Sequence, residues 1–325
     1  KTDAIYKNTK EWEMDELQSD TWGNKYQYNN ESFDEWVDRV AGGNENIAKL
    51  IRERKFLFAG RILANRGLPK DGVKVTYSNC YVLQPPQDTL ESIFDTAKCL
   101  ARTFSYGGGV GIDISNLRPN GAKVNNSAKT TTGSVSFMDL FSMTTGLIGQ
   151  RGRRGALMIS MDVNHPDIEE FIDIKTDLDR VTKANISIRI NDDFMKAVEN
   201  KKPYVCRFVV EATGEVIERE VDAYKLFMKL VKNNWDFAEP GILFWDNIEN
   251  NHLLSEDKEF KYAGVNPCAE EPLPAGGSCL LGSINLSEFV TSPFTEKAIF
   301  NVEEFKEVVR DCVVGLNEVL EEGLP

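Results

Sequence analysis

The stretch Asn266-Pro267-Cys268-Ala269-Glu270 puts an amide, a thiol and a carboxylate at alternate positions. In an extended loop, residues i, i+2 and i+4 point the same way, so the three side chains are expected to face one site. Pro267 fixes the shape of such a loop cheaply. The trio supplies a reactive sulfur, a general base and a hydrogen-bonding group for one small substrate. Cys279 follows eleven residues after Cys268, and Cys80 lies far upstream. Both read as strand residues, and two strand-borne thiols that meet can cycle between dithiol and disulfide, delivering two electrons. Cys99, Cys206 and Cys312 read as small buried hydrophobes. Six cysteines in 325 residues are too sparse for a disulfide scaffold. There is no Cys-x-x-Cys, and with only His165 and His252 a zinc site would need ligands from distant segments. A hydrolase triad is not excluded by two histidines, but neither lies near a plausible nucleophile in sequence.

These residues need strands and helices to position them. Ser32–Val40 and Asn46–Phe58 carry apolar positions at helical spacing, which predicts polar helices at one edge of a domain. Val73–Val82 reads as a strand bearing Cys80, stopped by Pro85-Pro86. Leu90, Ile93, Phe94, Ala97, Leu100, Ala101 and Phe104 make one apolar stripe, predicting a helix opened by Asp88 and Thr89. Gly107–Gly111 lacks the residues of a Walker loop and the context of a dinucleotide fingerprint, so it reads as a turn where backbone approaches something closely. Ile112–Ile114 then reads as a short strand.

A polar loop over Asn120–Gly133 precedes a helix at about Ser134–Ile148. Gln150–Gly155 is the one basic cluster, either a solvated turn or an anion contact. Strands are expected over Ala156–Met161, Asn185–Ile190, Ile242–Trp245 and Leu280–Leu286. Helices are expected over Pro166–Ile174, Asp192–Glu199, Tyr224–Asn234 and Val302–Leu320, with a hairpin from Tyr204–Val210 and Val216–Arg219. Alternating strands and helices predict a parallel α/β arrangement, an open sheet or a barrel.

Composition sets the outer bounds. At 41% hydrophobic and 27% charged the chain is an ordinary globular protein. Its formal charge of −13 argues against nucleic-acid polymers or an anionic membrane as main partner. No apolar run is long enough for a transmembrane helix, and the polar N-terminus lacks a signal-peptide core. A cytoplasmic protein is the expectation. The start without Met predicts that residues precede Lys1.

The ordered motifs resemble the catalytic subunit of ribonucleotide reductase. They are Ser78-Asn79-Cys80, Gly107–Ser115 with Leu117-Arg118-Pro119, Gly133–Phe137, Arg153-Arg154-Gly155-Ala156, Met161–Pro166, Asn185–Ile190, Asn266–Glu270 and Ser278–Leu286. The resemblance implies a ten-stranded α/β barrel of the ribonucleotide reductase and glycyl-radical type. It implies a helical region over 1–60 and, over 61–325, the first half-barrel with effector-site helices and the finger loop. Cys268 would become a thiyl radical that takes the ribose 3′-hydrogen. Glu270 would accept the 3′-hydroxyl proton, and Asn266 would hold the ribose hydroxyls. Cys80 and Cys279 would be the reducing dithiol, with Ser78 touching substrate.

For a deoxynucleoside triphosphate or ATP effector, the resemblance implies Asp88, Lys123 in loop 1 (Asn120–Thr132), and Asp179, Arg180 and Lys183 in loop 2 (Asp179–Asn185). Asp88 reads equally as a helix N-cap. Implied partners are a ribonucleotide substrate, a thioredoxin- or glutaredoxin-type reductant and a second copy in a homodimer.

The family's ATP-binding cone, second half-barrel and C-terminal cysteine pair have no counterpart in these residues, so a longer protein or a complementing chain is expected. Asn-Pro-Cys with Cys279 close behind resembles the adenosylcobalamin-dependent group. The alternative is no cofactor in this chain, with the radical supplied by a separate metal-containing subunit. Alternative functions are another thiyl- or glycyl-radical barrel enzyme, a non-catalytic nucleotide-binding half-barrel, or a zinc-bound or plain redox protein.

Overall fold

The computed structural model describes residues 14–68, 72, 75–150 and 153–323. The extreme N-terminus, the first two residues of the strand expected from Val73, and Arg151-Gly152 of the basic cluster lie outside the described residues. The chain divides into two compact units, residues 80–278 and residues 1–79 with 279–325.

Residues 80–278 carry a sheet with strands β1 (Cys80–Val82), β2 (Gly109–Asp113), β3 (Leu157–Asp162), β4 (Asn185–Ile190) and β5 (Gly241–Phe244). They lie side by side in the order β5-β4-β3-β2-β1, and each neighbouring pair is parallel. This mixed α/β arrangement with a parallel sheet is the class expected, and among the described residues the sheet does not close on itself.

Alternation along each strand gives the sheet two unlike faces. One face carries Val110, Ile112, Leu157, Ile159, Met161, Ile186, Ile188 and Ile190, all buried in one core with Ile93, Leu100, Phe104, Phe141 and Phe171 of the covering helices. Each such aliphatic side chain contributes about 1.5–3 kcal/mol by leaving water. The opposite face carries Gly109, Gly111, Asp113, Ser160, Asp162, Asn185, Ser187, Arg189 and Gly241, together with Met158 and Leu243, which pack in a small cluster with Val265 and Trp245. Small and polar residues leave room there for a further segment, and that segment is the loop bearing Cys268.

The helix Leu90–Ser105 starts from Thr89, whose hydroxyl accepts from the Ser92 N–H, so Thr89 rather than Asp88 is the N-cap. Strand β2 begins inside the glycine run, earlier than its first isoleucine predicts. Cys99 is exposed on its helix, contrary to the packing expectation. Cys206 and Cys312 are buried as expected, and burial pushes both thiols up to about 12.

In the other unit, the helices Phe33–Ala41, Glu45–Arg52 and Val302–Glu322 share a core through Val37, Ile47, Ile51, Val308, Cys312 and Val319. Asn46–Phe58 is not one helix. The chain leaves it after Arg52 and forms the strand Phe56–Phe58, antiparallel to Gly282–Ile284. Leu280–Leu286 is correspondingly shorter than expected as a strand. Arg66 is 1% exposed and donates to the carbonyls of Val40 and Ala41 and to Glu322 at 2.5 Å. No helix among the described residues is long and apolar enough to cross a membrane.

Candidate active site

The Cys268 loop is built on the polar face of the sheet in residues 80–278. A Cβ added at Gly111 would stand 1.7 Å from the Val265 carbonyl oxygen, and one added at Gly109 would stand 2.9 Å from Pro267 Cγ. The glycine run therefore exists so that the loop backbone can lie directly on β2, which identifies the close approach expected from the sequence. Asn185, the first residue of β4, donates from Nδ2 to the Pro267 carbonyl at 2.9 Å. The loop is seated from β2 and from β4.

It is a tight turn, not the extended segment expected. The Ala269 N–H donates to the Asn266 carbonyl at 3.0 Å, and the Asn266 N–H to the Glu271 carbonyl at 3.1 Å. Ala269 has φ +70°, a left-handed conformation that costs a non-glycine residue on the order of 1 kcal/mol or more. Simple alternation therefore fails: Asn266 is fully buried, whereas Cys268 and Glu270 are exposed. Asn266 accepts from the Glu271 N–H through Oδ1 at 3.0 Å. Its Nδ2 is buried without a hydrogen-bond partner. Leaving such a donor unmet costs about 1–3 kcal/mol, an expense typical of functional positions.

Cys80 is paired in register with Gly109, the residue that touches Pro267. Burial chiefly, then the Glu270 carboxylate and then Cys80, push the Cys268 thiol above its ordinary range. A nucleophilic cysteine needs the opposite shift, toward thiolate. Cys268 is instead held as S–H, the form that can give or receive a hydrogen atom. All six cysteines are thiols. Cys279 is buried and belongs, with Ser78, to the other unit, where the Asn79 N–H donates to the Cys279 carbonyl at 3.1 Å. Within residues 80–278, the Val82 N–H donates to the Gly277 carbonyl at 3.0 Å.

Asp88 lines a cleft of about 220 Å³ together with Leu90, Leu117, Arg118, Val124 and Asn125. Arg118 grips the Asp88 carboxylate through its backbone N–H at 3.0 Å and Nε at 2.6 Å, and donates to the Lys123 carbonyl at 2.7 Å. The segment 120–132 folds back on itself, with Lys123 bridged to Thr130 and its side chain exposed. Asp167, buried, ties the base of this segment by accepting from the Asn120 and Ser134 N–H groups and pairing with Arg219. His165 accepts the Asp167 N–H at Nδ1, so Nε2 carries the proton and donates to the Leu117 carbonyl at 2.7 Å. Burial lowers its pKa.

Asp179, Arg180 and Lys183 do not line that cleft. Asp179 is exposed, Arg180 pairs with Asp139 at 2.7 Å, and the Lys183 N–H donates to Ser142 Oγ at 3.1 Å. Sequence reasoning placed Asn185 at the end of loop 2 and the start of a strand without its contact to Pro267, and it passed over a polar cluster at the far ends of the strands. There Asp113 accepts from Ser160 at 2.7 Å and pairs with Arg189 at 3.3 Å, whose guanidinium lies 3.8 Å from the Trp245 ring centre. Only the alternation of polar residues on one strand face could have revealed it. Among the described residues no group of three or more His, Cys, Asp or Glu is arranged to hold a metal ion.

Comparison with known proteins adds to this geometry. Residues 78–324 match the family model of the ribonucleotide reductase barrel domain. Over 215 residues the chain is 38% identical to a vitamin B12-dependent ribonucleoside-diphosphate reductase of Thermoplasma acidophilum, covering 66% of this chain and 27% of that protein. It is 33% identical over 296 residues to a vitamin B12-dependent ribonucleotide reductase of Streptomyces clavuligerus, covering 83% and 30%. It is 35% identical over 248 residues to a vitamin B12-dependent ribonucleoside-diphosphate reductase of Mycobacterium tuberculosis, covering 76% and 34%. The chain thus spans about a third or less of the length of these relatives.

Proposed function

The chain belongs to the ribonucleotide reductase barrel family, and from that premise we propose that it carries the radical cysteine of an enzyme reducing ribonucleotides to 2′-deoxyribonucleotides. The observation that carries this reading is the state of Cys268. It is an exposed thiol at the tip of a loop that lies directly on β2 and is held by Asn185, with Glu270 and Cys80 near enough to raise its pKa further.

As a thiyl radical, Cys268 takes the ribose 3′-hydrogen, forming its S–H bond and leaving a carbon radical. Glu270 accepts the 3′-hydroxyl proton, a role suited to a carboxylate within reach of solvent. Asn266, with its buried unmet Nδ2, donates to a ribose hydroxyl. The 2′-hydroxyl leaves as water, taking a proton from the Cys80–Cys279 dithiol. Those two thiols supply two electrons and become a disulfide, their second hydrogen goes to C2′, Glu270 returns its proton to the 3′-oxygen, and Cys268 returns a hydrogen to C3′ and is again a thiyl radical. The balance is one ribonucleotide and one dithiol giving one deoxyribonucleotide, one disulfide and one water. Ser78 contributes a substrate contact. A thioredoxin- or glutaredoxin-type protein restores the dithiol.

The names of the relatives favour adenosylcobalamin as the radical source. The residues present fit such a group in one respect: the thiol to be oxidised is exposed at a loop tip and protonated. When bound, the cofactor supplies the one-electron oxidation of Cys268. The cleft at Asp88 is read as the site of a deoxynucleoside triphosphate effector, which Lys123, Asp179, Arg180 and Lys183, none of them lining the cleft, would reach from their loops, and the functional form as a homodimer.

The test is conversion of a labelled ribonucleotide by the intact protein with a small dithiol. Deoxyribonucleotide that forms only with adenosylcobalamin is the expected result. Product without cobalamin but dependent on a metal-bearing subunit would move the radical source to that subunit. Absence of product under both conditions would overturn the reading.

A further inference from the structure

The Cys268 loop has a further support besides β2 and Asn185. It is the tip of a short hairpin in which Gly264 pairs with Leu273 and Val265 with Pro272. While the Val265 carbonyl lies on Gly111, its side chain is 1% exposed in a buried cluster with Met158, Leu243 and Trp245. Ala269, the residue after Cys268, packs against the same cluster. The chain entering the turn and the chain leaving Cys268 therefore rest on one apolar seat, and Trp245 is its largest member.

The Trp245 ring is fixed at its edge and on its face. Its Nε1 donates to Glu249 at 2.7 Å, and the Arg189 guanidinium stands 3.8 Å from the ring centre. Behind Arg189 is Asp113, 2% exposed and paired with it at 3.3 Å. The same Asp113 oxygen accepts from Ser160 Oγ at 2.7 Å, and its other oxygen accepts the Ser115 N–H at 3.0 Å. Arg189 Nε is buried with no hydrogen-bond partner among the described residues. A guanidinium placed for its ion pair would turn its fork of donors to the carboxylate, whereas this one gives its flat face to an indole. Nor is an anion the missing partner of Nε, because Asp162 lies within electrostatic reach of Arg189, Asp113 and Asp246 alike. A buried ion pair is weak evidence for stability, and its best-attested use is to fix one arrangement.

We propose that Trp245 is a positioning residue for Cys268, and that Arg189, braced by Asp113, positions it by locking the indole against Val265. The stack sets how deeply the hairpin rests on the sheet and hence where the thiol stands. The proposal rests on the reading of Cys268 as the radical cysteine for its effect on turnover, and on the packing alone for its effect on the loop.

The test compares the intact protein with Arg189→Met, which keeps the stem and removes the flat cation, with Trp245→Leu, which keeps apolar bulk and removes the ring, with the double variant, and with Trp245→Phe. The first readout needs no turnover: iodoacetamide alkylation of Cys268 across pH, resolved from the other cysteines by peptide mass spectrometry. Arg189→Met and Trp245→Leu should each change the plateau rate about threefold or more, within the range of one desolvated cation–π contact. The pH midpoint should stay in place, since the stack moves the thiol without changing the charges beside it. A moved midpoint with an unchanged plateau would make Arg189 an electrostatic neighbour and overturn the positioning role.

The second readout is ribonucleotide turnover well below each variant's unfolding midpoint. Both single variants should lower kcat about tenfold or more while KM stays within about twofold, because neither residue touches substrate. The double variant should be no slower than the slower single one, since both act through one stack. Trp245→Phe, which keeps a ring face for Arg189, should recover most of the loss. Losses that multiply in the double variant, or an Arg189→Met protein unchanged in both readouts, overturn the proposal. If Trp245→Leu does not fold, Arg189→Met and Trp245→Phe still decide it. If wild type yields no deoxyribonucleotide, the functional reading fails, and the alkylation plateau still decides whether the stack seats the loop.

Discussion

Replacing Gly111 by alanine should disable the Cys268 loop while leaving most of the molecule intact. The added methyl would stand 1.7 Å from the Val265 carbonyl oxygen, 2.8 Å from its carbon and 3.5 Å from Asn266 Cα. Carbon and oxygen normally approach no closer than roughly 3.3 Å, so strand and loop must separate by more than about 1 Å. The obstacle is backbone on both sides, so no rotamer change relieves it. Overpacking of this kind costs about 1–3 kcal/mol. A displacement of about 1 Å at a reacting group costs about 100-fold in rate. Gly264→Ala is the control, because its methyl would meet only Val82 Cγ1 at 3.5 Å, an ordinary contact. Urea unfolding and ribonucleotide turnover are measured on both variants of the intact protein. The expected result is a lowered unfolding midpoint and at least about 100-fold less turnover for Gly111→Ala, with Gly264→Ala near wild type. If Gly111→Ala turned over within a few-fold of wild type, the seating of the loop on β2 would be refuted.

Other consequences are open to measurement. The pH midpoint for alkylation of Cys268 should lie above the ordinary thiol value of 9.0, and Glu270→Gln should lower it by removing a like charge; an unchanged or raised midpoint would contradict the placement of Glu270. His165 has a folded-state pKa below its ordinary 6.5, so the unfolded chain binds a proton first and stability must fall as pH drops through 6.5 toward the lowered value. His165→Gln should flatten that part of the profile of unfolding free energy against pH, and a profile that steepened would refute the neutral buried ring. Arg66→Ala should destabilise the unit built from both chain ends by about 1–3 kcal/mol, since it leaves the buried carbonyls of Val40 and Ala41 without their donor while the partly exposed Glu322 returns to water; chemical denaturation followed by tryptophan fluorescence reads the change.

Much of this architecture is legible in the sequence because its signals are local. Ile186, Ile188 and Ile190 alternate with Ser187 and Arg189, which marks a strand with one apolar face. The stripe from Leu90 to Phe104 marks the helix that covers it. Thr89 and Asp88 are adjacent capping residues, and sequence cannot choose between them; Arg118, thirty positions away, decides by taking the Asp88 carboxylate. The glycine run signals close approach but not what approaches, since Val265 is remote along the chain. For the same reason the bond from Asn185 to Pro267 leaves no trace in local pattern. The turn at Ala269 is hidden by its residue type, because alanine gives no warning of a positive φ. Residue types named the chemistry, and long-range contacts determined which groups are buried and which exposed.

The central claim is that Cys268 itself removes hydrogen from the ribose. It is tested most directly with a ribonucleotide carrying deuterium at the 3′ carbon, given to the intact protein and to its Cys268→Ser variant with dithiol and adenosylcobalamin. The account predicts slower turnover of the deuterated substrate by wild type and no deoxyribonucleotide from the variant. Equal rates for the two isotopes together with turnover by Cys268→Ser would contradict it.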